Sequence, residues 1–137
     1  MKKIIFFLTL IFLISSCKKD YQLEEIDSDI LVSVVNKDSE IEIKGETERE
    51  YSCSNYTIIN SNKNRKNEIY IHFKKVQVPD ICLTSIGPAK CTIGIGKLAN
   101  GDYPITFELN NKKTKGNLKV GSTTELILDS GGNVKPK

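Results

Sequence analysis

Apolar and polar residues alternate through most of the chain. From Ile30 onward the apolar positions recur every second residue: Ile41 and Ile43, Tyr56 and Ile58, Ile69 with Ile71 and Phe73, Val76 and Val78. The pattern continues through Ile93 and Ile95, Ile105 with Phe107 and Leu109, Leu118 and Val120, and Leu126 and Leu128. A period of two puts these side chains on one face of an extended strand, and no window offers the i, i+3, i+4 stripe of a helix. Each run is short and ends in Asn, Gly, Asp, Lys or Pro, which predicts turns at 60–67, 85–90, 100–102, 110–116 and 121–123. Seven to nine short strands with these spacings predict an antiparallel β-sandwich over residues 30–130, with 131–137 as a flexible tail.

The first residues follow another rule. Lys2 and Lys3 precede a run that is apolar from Ile4 to Ile14 except for Thr9, and Ser15, Ser16 and Cys17 come next. This is the layout of a secretory signal. At about 1.5 Å of helical rise per residue the apolar run covers roughly half of a ~30 Å hydrocarbon core, so residues 1–16 are expected to be removed rather than kept as a span. The order Leu13-Ile14-Ser15-Ser16-Cys17 resembles the lipobox of bacterial lipoproteins. That resemblance implies a diacylglyceryl group on the Cys17 thiol, cleavage before Cys17 and acylation of the freed amine. Lys18-Lys19-Asp20 is similar to the start of lipoproteins from Bacteroidota-type bacteria and implies lipid-anchored residence in the outer membrane, with the periplasmic or surface side left open. Residues 17–29, rich in acidic side chains and poor in apolar spacing, are expected to form a mobile lipidated tether.

Processing changes the composition. Lys2 and Lys3 leave with the signal, so the mature chain carries nearly balanced charge and makes no electrostatic case for nucleic acid. Phe6, Phe7 and Phe12 leave as well, and the core falls to Ile, Leu and Val with Phe73, Phe107 and tyrosines. An acylated Cys17 leaves Cys53, Cys82 and Cys91 for an oxidising compartment, an odd set that permits one bridge. Cys82 and Cys91 bracket the turn-prone Ile86-Gly87-Pro88-Ala89 and form the expected disulfide, with Cys53 bonded to either as the alternative.

Leu98-Ala99-Asn100-Gly101-Asp102-Tyr103, followed by Ile105 and Phe107, resembles the tyrosine corner that opens a late strand in immunoglobulin-like domains. The resemblance implies an immunoglobulin-like β-sandwich with the Tyr103 hydroxyl tied to nearby backbone. The chain departs from the antibody pattern in having Ile105 two residues beyond Tyr103 and no tryptophan.

Candidate chemistry is sparse. Gly94-Ile95-Gly96-Lys97-Leu98-Ala99 spells GxGxxA, but Gly101, Asp102 and Pro104 replace the helix that a pyrophosphate site needs, so the glycines are read as easing a strand bend. His72, the single histidine, falls on the face opposite Ile69, Ile71 and Phe73, without the spacing of a zinc or hydrolase site. Asp27-Ser28-Asp29 lacks the glycine and closing glutamate of a calcium loop. Lys63-Asn64-Arg65-Lys66 and Lys112-Lys113-Thr114-Lys115 are read as solvated hairpin tips, with an acidic partner surface as the sharper alternative, and Asn55-Tyr56-Thr57 spells a glycosylation sequon. The expected protein is therefore a non-enzymatic, membrane-anchored binding or structural module without metal or cofactor. Its partner is an envelope or host protein or a glycan. The alternative is a small protease inhibitor presenting residues 83–90 as a constrained loop between Cys82 and Cys91, whose inhibition substitution of Ile86 or Lys90 would relieve.

Overall fold

The computed structural model describes residues 20–65 and 67–137; the expected signal peptide and Cys17 lie outside the described residues. Ten strands run through them: β1 (Leu23–Glu24), β2 (Ile30–Lys37), β3 (Glu40–Tyr51), β4 (Thr57–Arg65), β5 (Glu68–Gln77), β6 (Gly87–Gly96), β7 (Gly101–Leu109), β8 (Lys112–Val120), β9 (Thr124–Leu128) and β10 (Val134–Pro136). No described residue is helical, and the all-β class follows the period-two pattern. Inward positions are the apolar ones, among them Ile41 and Ile43 on β3, Ile69, Ile71 and Phe73 on β5, and Ile105, Phe107 and Leu109 on β7. The Phe73 and Phe107 rings lie nearly parallel at the centre, 6.0 Å apart.

Turns are tighter than the sequence pattern predicts. Asp38 and Ser39 (φ 51° and 70°) close the β2–β3 hairpin, and Asn110 and Asn111 (φ 51° and 62°) close β7–β8. Two consecutive residues with positive φ match the right-handed twist of paired strands, and Asn and Asp tolerate that conformation. As a result most of 110–116 and 60–67 belongs to strands, because β8 and β4 are held by pairing with β7 and β5 although many of their side chains are polar. The expected turn at 85–90 is mostly the start of β6.

All pairings belong to one mixed sheet in the order β10-β2-β3-β6-β4-β5-β7-β8-β9, with β1 added beside β5. Three pairs are parallel: β10 with β2, β4 with β6, and β5 with β7. The sheet curls until its two ends approach: Asn36 on β2 donates to Thr124 Oγ1 on β9 at 2.9 Å, and Val134 N on β10 donates to Thr114 Oγ1 on β8 at 3.4 Å. The shape is nearly a barrel, which corrects the expected antiparallel sandwich. Alternation buries one face of each strand in either architecture, so the local pattern cannot separate them. The local feature behind the immunoglobulin-like reading is nonetheless present, since the Tyr103 hydroxyl donates to Ala99 O at 2.9 Å.

One seam in the sheet is unusual. β4 and β6 share the single pair Thr57–Lys90, with Lys90 N donating to Tyr56 O at 3.1 Å. Farther along, side chains bridge the two strands: Asn62 Nδ2 donates to Gly94 O at 3.0 Å and Asn64 Nδ2 to Ile95 O at 3.4 Å.

Within the described residues, both ends that were expected to be flexible pack onto the domain. Leu23 and Glu24 pair with Gln77 and Val76, and Ile26 is buried, its carbonyl accepting from Asn110 Nδ2 at 2.6 Å. Acidic residues of this segment pair with cations on the domain: Glu25 with Lys75 at 2.7 Å, Asp27 with Arg49 at 2.5 Å and Asp29 with Lys135 at 2.6 Å. Such exposed pairs are screened by solvent and contribute little, so the buried Ile26 is the stronger attachment. At the other end Val134 is buried and β10 lies along β2, with Lys137 N donating to Val32 O at 2.9 Å.

Candidate functional site

The segment between β5 and β6, residues 78–86, exposes Ile81, Leu83 and Ile86 at 78%, 54% and 71% of their surfaces. Burying a side chain of this size is worth about 1.5–3 kcal/mol, so three exposed aliphatics on one loop are an unusual arrangement. The loop is nevertheless held in several places. Cys82 is joined to Cys53, whose side chain is buried just beyond β3. Asn55 grips the loop from both sides, donating to Ile81 O at 2.7 Å and accepting from Leu83 N at 3.3 Å. Ser85 Oγ and Ser54 Oγ lie 2.8 Å apart, and Gly87 passes so close to Ser54 that an added Cβ would meet Ser54 Cβ at 3.2 Å.

An aromatic pair lies next to the point where the loop enters β6, since Tyr51 is in register with Gly87. Tyr51 and Tyr56 stack with centroids 4.5 Å apart, and the Arg49 guanidinium sits 4.9 Å from the Tyr51 ring centre. Arg49 also bonds Asp27, and this bond holds the Asp27 carboxyl below the usual carboxylate range. Tyr51 is 4% exposed and its hydroxyl has no hydrogen-bond partner among the described residues; burial raises its pKa.

The disulfide corrects the expected Cys82–Cys91 bridge. The spacing argument required 85–90 to be a turn, but β6 begins at Gly87 and places Cys91 inside a strand opposite Gly45. There the Cys91 thiol is free and largely shielded, and burial pushes its pKa up to about 11. Lys90 is likewise part of β6, so the constrained loop ends at Ile86.

The other sequence candidates do not converge. His72 is half-buried on β5, on the face opposite Ile71 and Phe73, in register with Ser61 and Glu108. Gly94 and Gly96 lie at an irregularity of the β3–β6 register, where Gly96 takes φ 88°; they bend a strand, as the sequence reading expected. Asp27 and Asp29 face Arg49 and Lys135 instead of a shared cation. Lys63 and Arg65 line an open depression of about 360 Å³ with Glu68 and Tyr70, which makes its charge mixed. Lys112, Lys113 and Lys115 lie on β8, with Lys113 Nζ 5.8 Å from the Tyr70 ring centre. Sequence reasoning missed Asn55, which it met only as a sequon, and Arg49 and Tyr51; the closeness of Asn55 to Cys53 was the available signal.

Comparison with known protein families, curated proteins and solved structures finds no match to this chain.

Proposed function

We propose that the chain is a bacterial lipoprotein, acylated at Cys17 after removal of residues 1–16, whose domain is a non-enzymatic binding module of the cell envelope with residues 78–86 as its binding element. The observation that carries the binding role is the combination of three exposed aliphatic side chains with a disulfide, an asparagine clamp and a serine contact that order the loop before anything meets it. Ordering in advance lowers the entropy cost of association. The Cys53–Cys82 bond supports export, because disulfides persist outside the reducing cytosol. Residence in the outer membrane rests on Lys18 and Lys19 behind the lipobox, and the immunoglobulin-like likeness rests on the Tyr103 corner.

Intact mass of membrane-extracted protein tests the anchor. The expected mass is that of residues 17–137 plus acyl chains, absent in Cys17→Ala, with a gain on reduction that corresponds to one disulfide. An unacylated full-length mass sinks the proposal. A second reading, protease inhibition, is favoured by the pre-ordered, exposed Ile86. Inhibition of a protease panel that Ile86→Asp abolishes would establish it, and no inhibition at high protein concentration would remove it.

A further inference from the structure

Six large hydrophobic side chains are exposed among the described residues, and their distribution is lopsided. Ile127 sits alone on β9, whereas Tyr21, Leu23, Ile81, Leu83 and Ile86 gather at one end of the barrel. The strand directions place them there. β5 runs toward this end and finishes at Gln77, beside Leu23, and Val78 N donates to Gln22 O at 2.9 Å. The start of the described chain and the root of the stapled loop are therefore hydrogen-bonded neighbours. The loop reaches β6 at Gly87, opposite Tyr51.

From these observations we infer that this end of the domain rests on a lipid bilayer, with Ile81, Leu83 and Ile86 entering the boundary between headgroups and acyl chains. The inference deepens the proposed anchor at Cys17 and rests on it. Cys17 precedes Tyr21 by four residues, and a chain spans at most about 3.6 Å per residue, so a lipid on Cys17 holds the bilayer within roughly 14 Å of Tyr21 in any conformation. Aliphatic side chains exposed that close to a membrane have an apolar phase within reach, and a soluble protein would have to compete with the bilayer for them. Negative charge at this end is partly neutralised. Glu25, Asp27 and Asp29 are each paired with a domain cation, which reduces the negative field facing an anionic lipid surface. Within residues 78–86 the sole charged residue is Asp80. Tyr21 is half exposed and brings an amphipathic ring of the kind that settles at membrane interfaces. The acyl chains on Cys17 hold the chain at the bilayer, and the apolar surface sets which end of the domain faces it.

The chain contains no tryptophan, so one introduced tryptophan is a unique reporter. Leu83→Trp places it on the exposed loop, and Lys97→Trp places it beyond the far end of β6, about 30 Å away at ~3.3 Å per residue. Both sites face solvent, which leaves the core undisturbed. Each full-length variant is expressed, extracted with its lipid and reconstituted in vesicles of phosphatidylethanolamine and phosphatidylglycerol, with and without brominated acyl chains. The expected result is a blue shift and loss of most of the Leu83→Trp emission in brominated vesicles, with Lys97→Trp emission unchanged. Adding Ile81→Ser and Ile86→Ser should restore the lost emission. Flotation with the vesicles but equal emission from the two reporters overturns the docking and leaves the anchor standing, and the loop is then free for a protein partner. Leu83→Trp quenching that survives Cys17→Ala supports the docking and shows that the loop reaches the acyl chains without the lipid on Cys17. Failure of both reporters to float overturns the two together.

Discussion

Replacing Cys82 by serine opens the bond to Cys53 with little disturbance to packing, because Cys82 faces solvent whereas Cys53 is buried. The two cysteines are 29 residues apart in sequence. In the chain-entropy treatment a loop of about 30 residues removes roughly 12 cal/mol/K from the unfolded ensemble, or about 3.6 kcal/mol at 25 °C. For a domain of about 115 residues, 1 kcal/mol moves the melting midpoint by roughly 4 °C, so the midpoint should fall by about 15 °C. Thermal unfolding followed by circular dichroism checks this, in parallel on the untreated protein, Cys82→Ser and Cys91→Ala. Reductant should lower the midpoint of the untreated protein and of Cys91→Ala while leaving Cys82→Ser unmoved. The reasoning is refuted if Cys91→Ala becomes insensitive to reductant, or if peptide mapping joins Cys91 to either other cysteine.

Three further outcomes are expected. With the Cys91 thiol raised from 9.0 to about 11 in the folded state, the unfolded chain loses its proton first; stability is fully present below about pH 9 and declines as pH rises toward about 11. Urea titrations of the untreated protein and Cys91→Ala across that window should diverge with pH, and parallel curves would argue against a shielded thiol. Tyr51→Phe removes a buried hydroxyl that has no partner among the described residues and should leave stability unchanged or raise it by up to about 1 kcal/mol, read as the urea midpoint. Ile26→Ala should cost about 2–5 kcal/mol in the same assay, since Ile26 is 1% exposed; a loss under about 0.5 kcal/mol would return residues 20–29 to the status of a tether.

What the sequence made legible was whatever is written locally. Alternation at Ile69-Ile71-Phe73 and Ile105-Phe107-Leu109 marks strands because each side chain's face depends only on its place in the pleat. Tyr103 and the bend at Gly96 were legible for the same reason, as short-range geometry. Strand order was not, because β3 pairs with β6 and β5 with β7 across intervening strands, and the choice between a sandwich and a near-barrel lies in those distant pairings. The later part of β4, residues 60–65, was hidden by its Asn and Lys content; β5 gives it a ladder, and Asn62 and Asn64 serve the seam with β6. At the candidate site the sequence pointed to a constrained loop beginning near Cys82 but tied it to the wrong cysteine, since nearness in sequence says little about which Cα atoms approach. Ile26 escaped notice because one apolar residue among acids has no period.

The parallel pairing of β10 with β2 fixes the timing of assembly. Val134 lies beside Ile30 and Pro136 beside Val32, so the outer ladder of an early strand stays incomplete until residues 134–136 are available. Contacts between such remote positions form slowly, because the long intervening loop must be closed before they contribute. In a chain synthesised from its N-terminus, the outer edge of β2 would stay open, able to pair with other strands, until β10 had emerged.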